Sequence, residues 1–360
     1  MRHFFVERPT PVNPRQMLAD LVALTGPPGA EGPVRDYVAA RVAELGMHST
    51  VDAKGNLLIS SGPGLPARPQ VVVTAHLDEI ALLVTGIEPD GALLVSPLGG
   101  AFVWKWGEGP VEILARGGAA IPGVLSLGSI HTTSPYSAAH QAREGAAPTW
   151  RAARIVTGLT PEALAAAGVR TGCRAVIARS RRSVFELGGD LVSAYFLDDR
   201  ADLVALLLAL EAVRGLAEFE NVLWAATVSE EVGGEGALFL LQERRPDICV
   251  ALEIGPITPD ASFALDSTPT VWVSDTYASM DPRDLDLIED AGGDIGLSPH
   301  FHAVTRGGSD ASCAASHGLC ARPVTLAFAA ENSHGFEIMH RDAPEALARL
   351  LVAYLRRLRL

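Results

Sequence analysis

The stretch "VVVTAHLDEI", residues 71–80, runs as an apolar strand and then breaks into His76, Asp78 and Glu79 with no basic residue beside them. Imidazole and carboxylate at the end of a buried strand point to metal ligation or proton transfer, because neither tolerates burial without a compensating partner. The same ending recurs along the chain. "NVLWAATVS" runs into Glu230 and Glu231, "DICVAL" stops at Glu253, and "CARPVTLAFAA" leads through "ENS" to His334, while Asp198 and Asp199 precede a helical stretch. Singly, each has an ordinary explanation: a satisfied histidine, an N-cap aspartate, or acids in a helix's first turn favoured by its dipole. Together they are the donor inventory of a metal site. Two histidines with three carboxylates exceed the three protein ligands of a mononuclear hydrolytic zinc, and a bridging carboxylate holds two cations about 3.5 to 4 Å apart. One acid is left over. Adjacent side chains of "SEE" point in different directions, so one Glu can bind metal while the other faces the attacking water.

Such residues need a scaffold that brings several strand ends to one rim. From Asn13 to Met47 the pattern gives two amphipathic helices interrupted by "TGPPGAEGP", which cannot continue a helix. "HSTVDAKGNLLISS" reads as a hairpin around Lys54-Gly55-Asn56, and "PQVVVTAH" as a strand buried on both faces. After about residue 85 the chain turns Gly-rich, with short strands and little helical period. From Asp198 helix and strand alternate again to the terminal "APEALARLLVAYLRRL". The expected fold class is therefore α/β: a mixed, mostly parallel sheet sandwiched by helices, formed by residues 1–84 and 188–360, with a small β-rich domain inserted at 85–187. In open α/β sheets ligands bind beyond the carboxyl ends of the strands, where these side chains would converge.

Composition narrows the function. With 360 residues and 48% hydrophobic content, the chain exceeds the roughly 250 to 300 residues at which one core stops growing. A net charge of -13 argues against nucleic acid or an anionic membrane as partner. Only Lys54 and Lys105 are lysines, neither lies in a phosphate-binding loop, and no G-x-G-x-x-G or G-x-S-x-G occurs. Cys173, Cys249, Cys313 and Cys320 are too scattered for a zinc knuckle or disulfide frame. The first twenty residues lack a signal-peptide core, and the apolar run from Leu203 is shorter than the roughly 20 residues of a membrane span, so a cytoplasmic location is expected.

The ordered motifs carry a resemblance. "TGPPGAEGPVRDYV", "DAKGNLL", "AHLDEI", "LDDRAD", "SEEVGGEGA", "GGSDAS" and "SHGFEI" resemble, in order and spacing, the signatures of the tetrahedral, or glutamyl-aminopeptidase-type, dinuclear metallo-aminopeptidases over almost the whole chain. The resemblance implies that Asp198 bridges two divalent metals, zinc with cobalt or manganese as alternatives. His76 and Glu253 would complete one site and Glu231 and His334 the other. Glu230 would be the general base, and Asp78 would orient His76. It further implies short peptide substrates and a dimer-based homo-oligomer, up to a dodecamer. The inserted segment would then supply subunit contacts and leave the metal ligands untouched. The chain departs from the pattern at three places: Glu253 stands where Asp is usual, "RADLVA" lacks a glycine, and "ENSHGF" lacks an Arg-Tyr pair. The expected activity is hydrolysis of N-terminal peptide bonds. Its rivals are deacylation of a non-peptide amide, a metal-free glycosidase using a carboxylate pair, and a binding or scaffold relative without turnover.

Overall fold

The computed structural model describes residues 13–259 and 261–359, so part of the N-terminal stretch read for a signal peptide lies outside the described residues. Among the described residues no helix is long and apolar enough to cross a membrane.

The first helix, Pro14–Ala23, starts where Asn13 accepts the amide N–H groups of Arg15 and Gln16 and Pro14 presets the first turn. "TGPPGAEGP" then breaks the chain before Gly32–Glu44, and the hairpin His48–Val51 with Leu57–Ser60 follows. These open a single 11-stranded sheet. Its centre is parallel: Val222–Thr227, Val71–His76, Ile248–Pro256 and Arg322–Glu331 lie side by side in that order. Toward both edges the pairing turns antiparallel, through Leu57–Ser60 on one side and Phe336–His340 and Leu191–Tyr195 on the other.

The period-2 geometry of these strands sorts their side chains between two cores. Val71, Val73 and Ala75 face one helical layer with Val222, Trp224, Ala226, Val250 and Leu252. Val72, Leu223, Ala225, Cys249 and Ala251 face the other, packed by Ala237, Leu240 and Ala311. The helix Leu197–Val213 is apolar nearly all round and is accordingly buried, lying against Val71–His76 and between Pro14–Ala23 and Ala343–Arg357.

Between the two halves of this sheet the chain forms a closed antiparallel barrel of six short strands, from Ala81–Ile87 to Arg174–Ile177, around its own core of Leu82, Leu93, Ile113, Leu125 and Ile155. The barrel starts directly behind the strand end that carries His76. Glu79 explains how it is held. Although no basic residue adjoins Glu79 in sequence, folding brings Arg182 from the barrel's exit and Arg200 from the long helix onto its two carboxylate oxygens, all three side chains being fully buried. Arg182 also donates to Leu24 O at 2.7 Å and Arg200 to Leu77 O at 2.8 Å. Glu79 is thus fully engaged in a buried ion triad that locks the barrel to the sheet.

Candidate metal centre

The carboxyl ends of the parallel strands bring His76, Glu230, Glu231 and Glu253 to one rim. Asp198 arrives from the start of the long helix and His334 from the turn between Arg322–Glu331 and Phe336–His340. The six side chains expected from sequence at this site therefore meet in space. His76, Asp198 and Glu231 offer donor atoms all within 4.8 Å of one another, as do His76, Glu230 and Glu253.

The imidazoles are oriented by what their other nitrogen does. His76 Nδ1 lies 3.1 Å from the Asp78 carbonyl oxygen, and His334 Nδ1 lies 3.1 Å from the Gly100 carbonyl oxygen. A carbonyl only accepts, so both Nδ1 atoms carry the proton and both Nε2 atoms face inward. His76 Nε2 is 3.0 Å from Asp198 Oδ1, and His334 Nε2 is 3.4 Å from Asp198 Oδ2 and 3.8 Å from Glu231. A lone pair against a carboxylate oxygen is repulsive unless a proton or a cation lies between them. Asp198, with one oxygen toward each imidazole, has the geometry of a bridge.

Asp78 plays a part broader than expected. Its carbonyl, not its carboxylate, is the nearer partner of His76, the carboxylate oxygen standing 3.4 Å away. The carboxylate instead accepts the backbone N–H groups of Glu230 at 2.9 Å and Glu231 at 3.1 Å. Glu337 mirrors it from the opposite side, accepting from the N–H of Asp198 at 3.0 Å and of His334 at 2.9 Å. Two buried carboxylates thereby clamp the backbone of Glu230, Glu231, Asp198 and His334, four residues of the cluster that lie outside the strands. The turns they clamp are costly ones: Ser229, Asn332 and His334 all have positive φ without being glycine.

The electrostatics are those of a cation site. Burial, then neighbouring acids, pushes Glu230 and Glu253 well above the usual carboxylate range and Glu231 up to about 7. Burial alone would depress His76 and His334, but Asp199 and Asp198 beside the first and Glu231 and Asp198 beside the second raise both well above the usual imidazole value. Asp198 goes the other way. Burial opposes its ionisation, yet hydrogen bonds from His334 and His76 hold it below the usual range. The buried guanidinium groups of Arg182 and Arg200 are engaged by Glu79. The donor set, two inward nitrogens and four carboxylates with no lysine or arginine among them, therefore fits divalent metal.

Besides Glu337, three features escaped sequence reading. Asp199, next to the bridge, accepts the backbone N–H of His76 at 2.6 Å. Asp202, the last residue of "LDDRAD", is fully buried against it; burial raises both carboxyls, with Asp202 adding to the rise of Asp199 and with Glu253 and Asp198 adding to that of Asp202. The third is a correction: the inserted barrel does touch the site. Besides the Gly100–His334 hydrogen bond, a Cβ on Gly100 would stand 2.7 Å from His334 Nδ1, and one on Gly99 would stand 3.0 Å from Glu231 Oε2. The "LGG" at residues 98–100 was the available signal, since glycine permits such close approach.

A cavity of about 580 Å³ opens over the cluster, walled also by Phe102, Ile254, Trp272 and Tyr277. Its size and mixed lining suit a small organic ligand.

The profile of the M42 glutamyl aminopeptidase family matches residues 55–350. The glutamyl aminopeptidase of Lactococcus lactis subsp. cremoris is 27% identical over 79% of this chain and 79% of its own length. The lysyl aminopeptidase of Pyrococcus furiosus is 26% identical over 61% of this chain and 60% of its own. Among solved structures, the Pyrococcus horikoshii TET1 peptidase, which can assemble into a tetrahedron or a large octahedral shell, superposes with a TM-score of 0.81 at 26% identity, covering 95% of this chain and 98% of its own. With its family profile matched over residues 55–350, most of its length, the chain belongs to the M42 glutamyl aminopeptidase family.

Proposed function

We propose that this metal-dependent aminopeptidase holds two divalent ions and removes single residues from the N-termini of short peptides in the cytoplasm. The observation that carries the proposal is Asp198, whose two carboxylate oxygens face two separate inward imidazole nitrogens. In this reading Asp198 is shared, His76 and Glu253 complete one position, and Glu231 and His334 complete the other. Zinc suits these donors, as do cobalt and manganese. Bound there, the ions would polarise the scissile carbonyl and lower the pKa of water.

The remaining chemistry falls to the chain itself. Glu230 accepts the proton of the attacking water as the C–O bond forms, and returns it to the departing amine as the C–N bond breaks. Burial raises its carboxyl above the ordinary glutamate range, which makes the carboxylate a stronger proton acceptor. Asp78 keeps Glu230 and Glu231 apart in role by fixing both of their backbone N–H groups. The unpaired acids of the rim also provide an anionic surface for the free α-amine of a peptide. The cavity over the cluster supplies space for the N-terminal side chain and the next residue.

The barrel is proposed to mediate a dimer-based homo-oligomer, supported by the assembly named for the Pyrococcus horikoshii relative. The test is a panel of aminoacyl anilides, free peptides and N-acyl amino acids, assayed before chelation, after it, and after return of each metal. Peptide and anilide turnover that disappears on chelation and returns with metal supports the proposal. Turnover confined to N-acyl substrates, or undiminished in metal-free protein, overturns it.

A further inference from the structure

We infer that Lys105 of the inserted barrel is a positioning residue for His334, acting through Asn332. Six contacts carry the inference. Lys105, in the short helix Val103–Trp106, places its ammonium 2.5 Å from Asn332 Oδ1. Asn332 in turn donates from Nδ2 to Phe336 O at 2.9 Å and accepts the N–H of Gly335 at its carbonyl, at 3.1 Å, closing the turn that presents His334. Two residues before that helix, the Ala101 carbonyl is held by Trp150 Nε1 at 2.7 Å, and its neighbour Gly100 receives the His334 Nδ1–H. The stem of Lys105 packs on the same turn, with a Cβ on Gly335 standing 3.2 Å from Lys105 Cδ.

The turn needs such support. Asn332 and His334 both have positive φ, a conformation that a short loop of non-glycine residues keeps only when its surroundings over-determine it. Glu337 holds one end by accepting the His334 N–H. Lys105 holds the other, with a charge-assisted hydrogen bond stronger than one between neutral groups. Asn332 lies in "ENSHGF", where the chain departs from the pattern of its family. Lys105 is one of only two lysines in the chain. The two residues form a strut across which the barrel sets the aim of His334 Nε2. Partners that orient a ligating imidazole are typically worth about 10- to 100-fold in metal affinity. The strut should therefore govern the ion position shared by Glu231 and His334, while the His76 and Glu253 position is unaffected. What His334 binds rests on the proposed function; that Lys105 aims it does not.

The test uses full-length protein with Lys105→Met, Asn332→Ala and Lys105→Arg, titrated with Co²⁺ by calorimetry and visible absorbance. In parallel, the His334 Hδ1 proton is followed by NMR in metal-free protein, where its bond to the Gly100 carbonyl protects it from exchange. Lys105→Met and Asn332→Ala should each weaken one of two Co²⁺ equivalents by about tenfold or more, leave the other unchanged, and expose the His334 proton. Lys105→Arg, which retains a cationic N–H donor, should restore most of both. Unchanged uptake with a protected proton overturns the inference. So does equal weakening of both equivalents together with a lowered melting temperature, which would make Lys105 a general stabiliser. A wild-type chain that binds no Co²⁺ would sink the metal reading alone, and the proton would still report on the strut.

Discussion

At the scale of single residues, the two glutamates of "SEE" should separate cleanly. Glu230→Gln keeps the shape of the side chain but cannot accept a proton, so kcat should fall by about 10² to 10⁴ with metal content near that of the wild type. Glu231→Gln should lose metal instead, measured by elemental analysis after dialysis. Reversal of the two outcomes would reverse the roles. Glu253 is the sharper case, because it stands where its family pattern has the shorter aspartate. Its Oε2 is turned toward its own neighbour, accepting the Ile254 N–H at 3.1 Å, yet the side chain remains grouped with His76 and Glu230. In zinc-loaded crystals a Glu253 oxygen is expected at about 2.0 to 2.2 Å from the ion. An occupied position with Glu253 pointing away would refute this. These side chains were legible in sequence because burying acid or imidazole at a strand end is expensive, and the expense advertises them. Glu337 was not, although it stands in "SHGFEI": an acid whose whole role is to accept two backbone N–H groups leaves the same trace as any surface glutamate. Asp202 was visible only as a missing glycine, and nothing in one sequence says that a residue four places past Asp198 turns back onto Asp199.

At the scale of elements, long strands with continuous apolar runs were readable and short ones were not. Val71–His76 and Ile248–Pro256 are buried on both faces and announce themselves. Leu191–Tyr195 and Phe336–His340 alternate only over a few residues, and Pro269–Ser274 and His300–Ala303 owe their place to tertiary pairing. The inserted segment was recognisable by its Gly-rich texture, but texture carries no information on where a loop lands, and so the approach of Gly99 and Gly100 to the ligands went unforeseen. The Glu79 triad belongs to the same class, since its two arginines come from distant elements. It makes a definite prediction. Arg182→Met removes one of two cations from a fully buried carboxylate and should cost about 3 to 5 kcal/mol in reversible denaturation, with metal affinity in the surviving folded protein little altered. A loss of under about 1 kcal/mol would mean that Arg200 alone satisfies Glu79 and that the barrel is held by its apolar contacts.

At the scale of the whole molecule, the interface proposed for the barrel and the charge of the acid cluster each make a separate prediction. The outer wall of the barrel pairs Val124 with Val156 across adjacent strands, and both are half exposed, at 49% and 50%. If this wall meets a second subunit, Val124→Glu with Val156→Glu should lower the assembly size in small-angle scattering without loss of the monomer's fold; an unchanged size would move the interface elsewhere. The acid cluster should in turn reverse the pH dependence of stability when metal is removed. Without metal, Glu231 and Glu337 titrate at about 7 and about 8 in the folded chain, both raised first by burial, against about 4.3 for glutamate in an unfolded one. Over that interval the folded state binds more protons than the unfolded state, so stability falls as pH rises. The raised imidazoles of His76 and His334 act in the same direction, holding protons that the unfolded chain has released. Metal-free protein should therefore melt at a lower temperature at pH 8 than at pH 6. Divalent metal replaces those protons and binds more tightly as they leave, so the loaded protein should show the opposite slope. A metal-free chain whose melting temperature rises across the same interval would mean that the cluster is not protonated as its burial demands, and that these acids are compensated by something other than the ions proposed for them.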